Sequence, residues 1–237
     1  MDTQPNRSIH IPYVIDEASE RSAYYENHWK RQALALLAAD AGNLQGMSLL
    51  DYGCGRGETL EYAANYGMQV EGLDIDPECV RIASAKGAAS LLDLNNLRQQ
   101  LGEKTYDVVT CFHVLEHVDN PKQILSLLAR AARKYVVVAV PNLRQINNLR
   151  RPRREAARVN EGHLQSWDHP HFRNLAENHC GLRILSWGFD ATYLPVVSEL
   201  VKRMLGNKVL IKLETGLFRK LFPYNGISVI ALMQPVA

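Results

Sequence analysis

The sequence predicts an α/β fold built on a parallel sheet, and three observations carry that expectation. From about residue 47 to 141, short apolar runs alternate with helix-length periodic segments, the pattern of strands joined by crossover helices. Asp76-Pro77 and Asn120-Pro121 each set a capping side chain ahead of a proline suited to the first helical position. Leu49-Leu50-Asp51-Tyr52 runs straight into Gly53-Cys54-Gly55-Arg56-Gly57, a buried strand opening onto a glycine-rich turn.

Taken in order, Tyr24 to Ala39 reads as an N-terminal helix, followed by a first strand at Met47–Asp51. Further strands are expected at Gln69–Asp74, Ala88–Leu92, Tyr106–Phe112 and Tyr135–Pro141. After Asn120-Pro121, residues Ile124, Leu125, Leu127, Leu128 and Ala131 recur on one face, as a helix packed on a sheet requires. Beyond Pro141 the pattern loosens into a polar, arginine-rich connection from Asn142 to His163. A helix near His169–Cys180, a strand at Leu182–Phe189, a basic helical excursion over residues 194–222 and a last strand at Ile227–Met233 complete the chain.

At 237 residues the chain has the length of one large domain, enough to bury a core without disulfide or metal staples. Apolar residues make up 46%, which excludes wholesale disorder. Pure apolar runs such as Tyr135 to Val140 fall far short of the ~20 residues a membrane span needs. Residues Met1 to Arg7 lack the apolar segment of a signal peptide, so a cytoplasmic protein is expected. Cys54, Cys79, Cys111 and Cys180 form no CxxC pair and predict neither a disulfide framework nor a structural zinc.

Net charge is only +2, but it is segregated. Six arginines (144, 150, 151, 153, 154 and 158) face one acid, Glu155, in one window. Lys202, Arg203, Lys208, Lys212, Arg219 and Lys220 face Glu214 in another. Two such windows suit an anionic small molecule, nucleic acid or an acidic membrane surface, or are simply solvated helix faces. The apolar-basic segment Leu200 to Leu205 has the composition of a surface-docking helix, and equally of a substrate lid.

The glycine-rich turn points to a nucleoside ligand without phosphate. Glu58 stands where a dinucleotide fingerprint needs its third glycine, and a carboxylate at a helix start is poor company for a pyrophosphate. That argues against a nicotinamide dehydrogenase. Asp74, ending the second strand, is placed to accept from ribose hydroxyls, and Asp93, ending the third, from an adenine amino group. All three features fall at the carboxyl ends of neighbouring strands, where such sheets bind ligands.

These pieces resemble the class I S-adenosylmethionine (SAM)-dependent methyltransferases. The resemblance is carried by Asp51 to Gly57, by Gly72-Leu73-Asp74-Ile75-Asp76 and by Tyr106-Asp107-Val108-Val109, over roughly residues 45–190 and the last strand. Val114-Leu115-Glu116-His117-Val118 and Val140-Pro141-Asn142 are most similar to the ubiquinone-pathway O-methyltransferase branch. The resemblance implies a Rossmann-like sheet of seven strands, mostly parallel with the last antiparallel, and SAM lying across the strand ends. It also implies that Asp51, Gly53, Cys54, Gly55 and Gly57 surround the methionine part while Asp74 holds the ribose. Ile75 would pack on the adenine, Asp93 and Leu94 would hold its edge, and Phe112 and His113 would line the sulfonium side. The helix carrying Tyr24, Tyr25 and Trp29 is expected over about residues 20–40 as a lid, with Tyr25 against the cofactor, or as ordinary aromatic packing.

SAM arrives with its methyl group activated, so the protein must align an acceptor and remove a proton. His113, His117 and His163 are the candidate bases, because an imidazole titrates near neutrality. His117 and Glu116 can equally brace the following turn. His113, Glu116, His117 and His163 also resemble the divalent-ion face of ubiquinone-type and small-RNA methyltransferases, with His113 in place of the first acid. Such a nitrogen-rich set would suit zinc better than magnesium. The histidines of His163 to Phe172 are either a substrate wall or a polar loop. With no Asn-Pro-Pro-Tyr-like motif and no Pro-Cys nucleophile, oxygen is the favoured target. The reading is therefore O-methylation of a small or lipid- or glycan-linked acceptor by a monomer or homodimer, with the basic windows favouring an anionic one. RNA methylation is the alternative, and a non-catalytic SAM-binding partner subunit the second.

Overall fold

The structure, a computed structural model, describes residues 20–146 and 162–236, with side chains described for Tyr24 and from residue 27 onward. Helix α1 (Glu20–Ala41) precedes five strands alternating with four helices. These are β1 (Ser48–Tyr52), α2 (Glu58–Ala64), β2 (Gln69–Asp74), α3 (Pro77–Ala83) and β3 (Ala88–Leu91). They continue through α4 (Leu97–Leu101), β4 (Tyr106–Phe112), α5 (Pro121–Ala131) and β5 (Ala132–Pro141). Then come α6 (His169–His179), β6 (Leu182–Gly188), α7 (Pro195–Leu213), the short α8 (Arg219–Leu221) and β7 (Ser228–Pro235).

The seven strands form one sheet in the order β3-β2-β1-β4-β5-β7-β6. The β1–β2, β1–β4, β2–β3 and β4–β5 pairs are parallel, and β7 runs antiparallel to both neighbours. The expected fold class is met. Alternation along the strands sends side chains to two cores. Leu50, Tyr52, Val109, Cys111, Val136 and Val138 pack with Leu125, Leu128 and Phe172 on the face of α5 and α6. Leu49, Val108, Val137, Ala139 and Ile230 pack with Leu34, Leu37 and Leu60 on the face of α1 and α2.

The caps work as their residues predict. Asp76 Oδ1 accepts from the Glu78 N–H at 2.8 Å and Asn120 Oδ1 from the Gln123 N–H at 3.0 Å, each ahead of a proline. Strand β5 starts at Ala132, three residues before the apolar run at Tyr135 suggests. The extra residues include Arg133, whose guanidinium is held by Asp107, Ser48 and the Lys104 carbonyl at the starts of the neighbouring strands. The 194–222 excursion is helical but broken: Gly206 adopts φ 78°, ψ 174° inside α7, and a π-helical turn spans Glu214–Phe218. All four cysteines are buried and free. Among the described residues no helix is long and apolar enough to cross a membrane. Most of the first basic window, Arg150, Arg151, Arg153, Arg154 and Arg158, lies outside the described residues.

Candidate functional site

The turn after β1 is shaped by its glycines. Gly53 has φ 75°, and a Cβ there would stand 2.3 Å from Val114 Cγ2, so no side chain fits between the turn and the chain leaving β4. Gly55 has φ 53°, and a Cβ there would meet nothing within 4 Å. That open backbone is where a ligand can approach the chain. Beneath it Asp51 is fully buried, accepting from Thr110 Oγ1 at 2.6 Å. Loss of water pushes its carboxyl up to about 6 against the pull of Thr110 and Lys30. Burial likewise raises the Cys54 thiol, which is no nucleophile and instead fills the space beside Gly72.

Asp74 ties the turn to β2. Its Oδ2 accepts from the Gly55 N–H at 2.8 Å and its Oδ1 from the Asp76 N–H at 2.9 Å, so the carboxylate is oriented before any ligand arrives. Ile75 and Leu94 are exposed at the same strand ends. The Leu92 N–H bonds the Asp74 carbonyl at 2.8 Å and holds the end of β3 beside β2. Asp93 is exposed and turned into its own loop, accepting from the Asn95 N–H and from Asn96 Nδ2 at 3.0 and 2.8 Å. The structure therefore joins Asp51, Gly55 and Asp74 into one frame, and commits Asp93 to a local turn.

The imidazoles lie at the end of β4. Phe112 is buried, and His113 follows it in the left-handed region at φ 54°. Trp29 of α1 packs edge-on against Phe112 (5.3 Å) and tilted against His113 (4.6 Å), so the N-terminal helix does reach this end of the sheet. The Tyr25 side chain lies outside the described residues. Lys30 pairs with Glu58 at 3.0 Å, anchoring α1 to the start of α2. His113 Nδ1 stands 3.2 Å from Glu116 Oε1, and its Nε2 stands 3.1 Å from Ser228 Oγ. Glu116 is completely buried, and neither of its carboxylate oxygens has an aligned hydrogen-bond donor.

Glu116, His117 and His163 bring one ligand atom each within 4.8 Å of one another. His113 falls outside that group, because its ring faces Ser228 as well as Glu116. His117 is exposed, with Nδ1 2.9 Å from the Gly162 carbonyl, which fixes the proton on Nδ1 and leaves the Nε2 lone pair outward. The His163 ring crosses it at 4.9 Å, and burial lowers its basicity.

Two further residues were invisible in the sequence. Asp190, just past β6, is buried and accepts from the Ser228 N–H at 2.9 Å, while its other oxygen has no partner. Asp190, Ser228, His113 and Glu116 thus form one continuous run of polar groups. No spacing signal links residues 113, 116, 190 and 228, since only the β5-β7-β6 order of the sheet brings them together.

Residues 23–186 match the methyltransferase domain family, over more than half of the chain. The chain belongs to that family. Its neighbours agree with the SAM-dependent reading of the strand ends. The ubiquinone biosynthesis O-methyltransferase of Cronobacter sakazakii is 37% identical over 103 residues, which are 41% of this chain and 42% of that protein. The chain thus spans less than half the length of the curated relatives it matches. In fold it is similar to the magnesium protoporphyrin IX methyltransferase of Synechocystis, solved with bound SAM, at TM-score 0.59 and 20% identity. That match covers 100% of this chain and 87% of the other. It is also similar to a SAM-dependent methyltransferase from Archaeoglobus fulgidus, at TM-score 0.58 and 19% identity, covering 91% and 98%. S-adenosylmethionine is the cofactor this methyltransferase fold serves. The residues present fit it: open backbone at Gly55, a pre-oriented carboxylate at Asp74 and exposed Ile75 for a flat base.

Proposed function

We propose that the chain transfers the methyl group of SAM to a hydroxyl oxygen of a small or lipid-linked acceptor, with His117 removing the acceptor's proton. One observation carries this reading. Beside the strand ends that fit the cofactor, an exposed imidazole has its Nδ1 proton committed to a backbone carbonyl and its Nε2 lone pair free. When bound, SAM supplies the electrophilic methyl group. The chain's own part is placement. Asp74 and the Gly55 backbone fix the nucleoside end, Trp29 and Phe112 exclude water, and His113 is gripped between Glu116 and Ser228. His117 Nε2 then accepts the hydroxyl proton as the oxygen becomes a nucleophile. The O-methyltransferase name of the partial relatives supports oxygen as the target.

A metal reading is favoured by one specific feature, the buried carboxylate of Glu116, which has the His113 ring at 3.2 Å but receives no aligned hydrogen bond, beside His117 and His163. Two nitrogens and one oxygen suit a transition metal, which would hold the acceptor oxygen and lower its pKa. Exposed apolar and basic side chains on α7 support an acceptor met at an anionic lipid surface.

Thermal unfolding with S-adenosylhomocysteine tests the cofactor. At 100 times its dissociation constant the ligand adds ~2.7 kcal/mol, a rise of roughly 5–10 °C for a domain of this size. NADH should give no rise; the reverse pattern sinks the proposal. His117→Ala should keep that rise while lowering kcat by roughly 10²–10⁴ on a hydroxyl acceptor. EDTA should leave the midpoint unchanged, and a drop would move the role of His117 from base to ligand.

A further inference from the structure

The segment after β5, the start of α6, the end of β6 and the turn before β7 enclose a groove of about 460 Å³. None of the proposed cofactor or imidazole-cluster residues lines it. Its walls include Arg144, His169, Arg173, Asn174, Trp187 and Tyr224. The size is that of a small-molecule site.

His169 is the feature that demands a ligand. It is only 6% exposed, yet neither ring nitrogen has a hydrogen-bond partner. Its ring is boxed by Trp187 at 4.8 Å and Tyr224 at 5.0 Å, with Phe189 behind at 6.3 Å. Buried polar atoms left without partners are rare in native proteins, and here the residue that carries them lines a cavity. Burial lowers the imidazole to about 4, so it is neutral at pH 7 and offers one donor and one acceptor.

The charges around it select an anion, and a singly charged one. Among the described residues no carboxylate lies within ion-pair distance of the Arg144 guanidinium. The nearby Asp168 is taken by His171, through its N–H at 3.0 Å and Nδ1 at 2.6 Å. Arg173 lies 5.5 Å over the Trp187 ring and 3.7 Å from Glu177, which also accepts from the Ile184 N–H. Among the residues lining the groove Arg144 and Arg173 are cationic and Glu177 is acidic, a net single positive charge that one carboxylate matches. Asn178 donates to Asn174 Oδ1 at 2.8 Å, which leaves the Asn174 amide hydrogens for a ligand.

We propose that this groove binds an aromatic carboxylate, with its acid group on Arg144, its ring against Trp187 and Tyr224, and a hydrogen bond to His169. Two aromatic walls favour a flat ring, and a guanidinium with no acidic partner favours a planar two-oxygen anion. This site is separate from the cofactor crevice and does not rest on the identity of the methyl acceptor.

The test is calorimetric titration of the full chain with 2-naphthoate, both alone and saturated with S-adenosylhomocysteine. Naphthalene-2-methanol and inorganic phosphate serve as probes of ring and charge. Saturable naphthoate binding is expected in both states, with the alcohol and phosphate at least about tenfold weaker. Arg144→Gln, a change at the groove's rim, should cost about tenfold for naphthoate and leave the alcohol unaffected. His169→Phe keeps the aromatic box and removes the nitrogens, and it should weaken naphthoate severalfold. Absence of saturation at millimolar naphthoate overturns the proposal, as do equal affinity in Arg144→Gln and equal binding of phosphate. Displacement by S-adenosylhomocysteine would place naphthoate in the cofactor crevice and also overturn it.

Discussion

Gly53 and Gly55 stand two residues apart with similar positive φ, yet their surroundings give them different jobs. At Gly53 a methyl group would be driven into Val114 Cγ2 at 2.3 Å. Gly53→Ala should therefore combine left-handed strain of about 1–2 kcal/mol with overpacking of roughly 1–3 kcal/mol. At Gly55 the methyl meets open space, so Gly55→Ala should cost only the strain. Its side chain would instead occupy the volume a cofactor needs against the backbone. Thermal melts and S-adenosylhomocysteine titrations on both variants separate the two roles. Gly53→Ala should show the larger drop in midpoint, and Gly55→Ala about a tenfold loss of cofactor affinity from a nearly normal fold. Equal behaviour of the pair would refute the division. The glycines themselves were plain in the sequence, as was Asp74 at the end of the neighbouring strand. Which glycine is packed and which is open was not, because Val114 approaches from the distant segment that follows β4.

At the scale of elements, legibility followed how local the physics was. The buried parallel strands are apolar runs that bury on both faces, and the caps at Asp76 and Asn120 act within three residues, so both were readable. The start of β5 was hidden behind Arg133 and Lys134, which both pair with Asp107 of β4, Arg133 also reaching Ser48 of β1. The kink at Gly206 was likewise hidden, and it shapes what α7 can do. On its first half Val196, Val197, Leu200 and Met204 are 44–70% exposed, with Lys202 and Arg203 exposed beside them. Exposed apolar residues edged by cations support the proposal that this helix meets an anionic lipid surface. Flotation with vesicles containing phosphatidylglycerol should carry the protein, and phosphatidylcholine alone should not. Reversing Lys202 and Arg203 to glutamate should weaken binding at least about 30-fold, at about 1 kcal/mol for each lost cation. Leu200→Gln with Met204→Gln should weaken it without changing its salt dependence. Unchanged flotation in both variants removes the lipid surface from the proposal.

For the whole molecule, the buried ionisable groups make stability depend on pH in opposite senses. Loss of water raises Asp190 to about 7 and Asp51 to about 6, so the folded protein keeps protons that the unfolded chain releases near 4. Their contribution is fully present below the unfolded value and is lost as pH rises through the folded one. His169, lowered to about 4 by the same loss of water, does the reverse: its contribution is present above about 6.5 and lost as pH falls towards 4. The midpoint of the wild type alone therefore mixes the two. Asp190→Asn separates them, because an amide keeps an acceptor for the Ser228 N–H at nearly the same volume and cannot ionise. Relative to wild type, the variant should gain stability progressively as pH rises from about 4 to about 7, by a few kcal/mol at the upper end, and level off above that. Measuring both proteins by denaturant unfolding across that range gives the difference directly. A difference that stays flat would mean Asp190 ionises at its ordinary value. The Asp190-Ser228-His113 run would then be held by a charge rather than by a protonated acid.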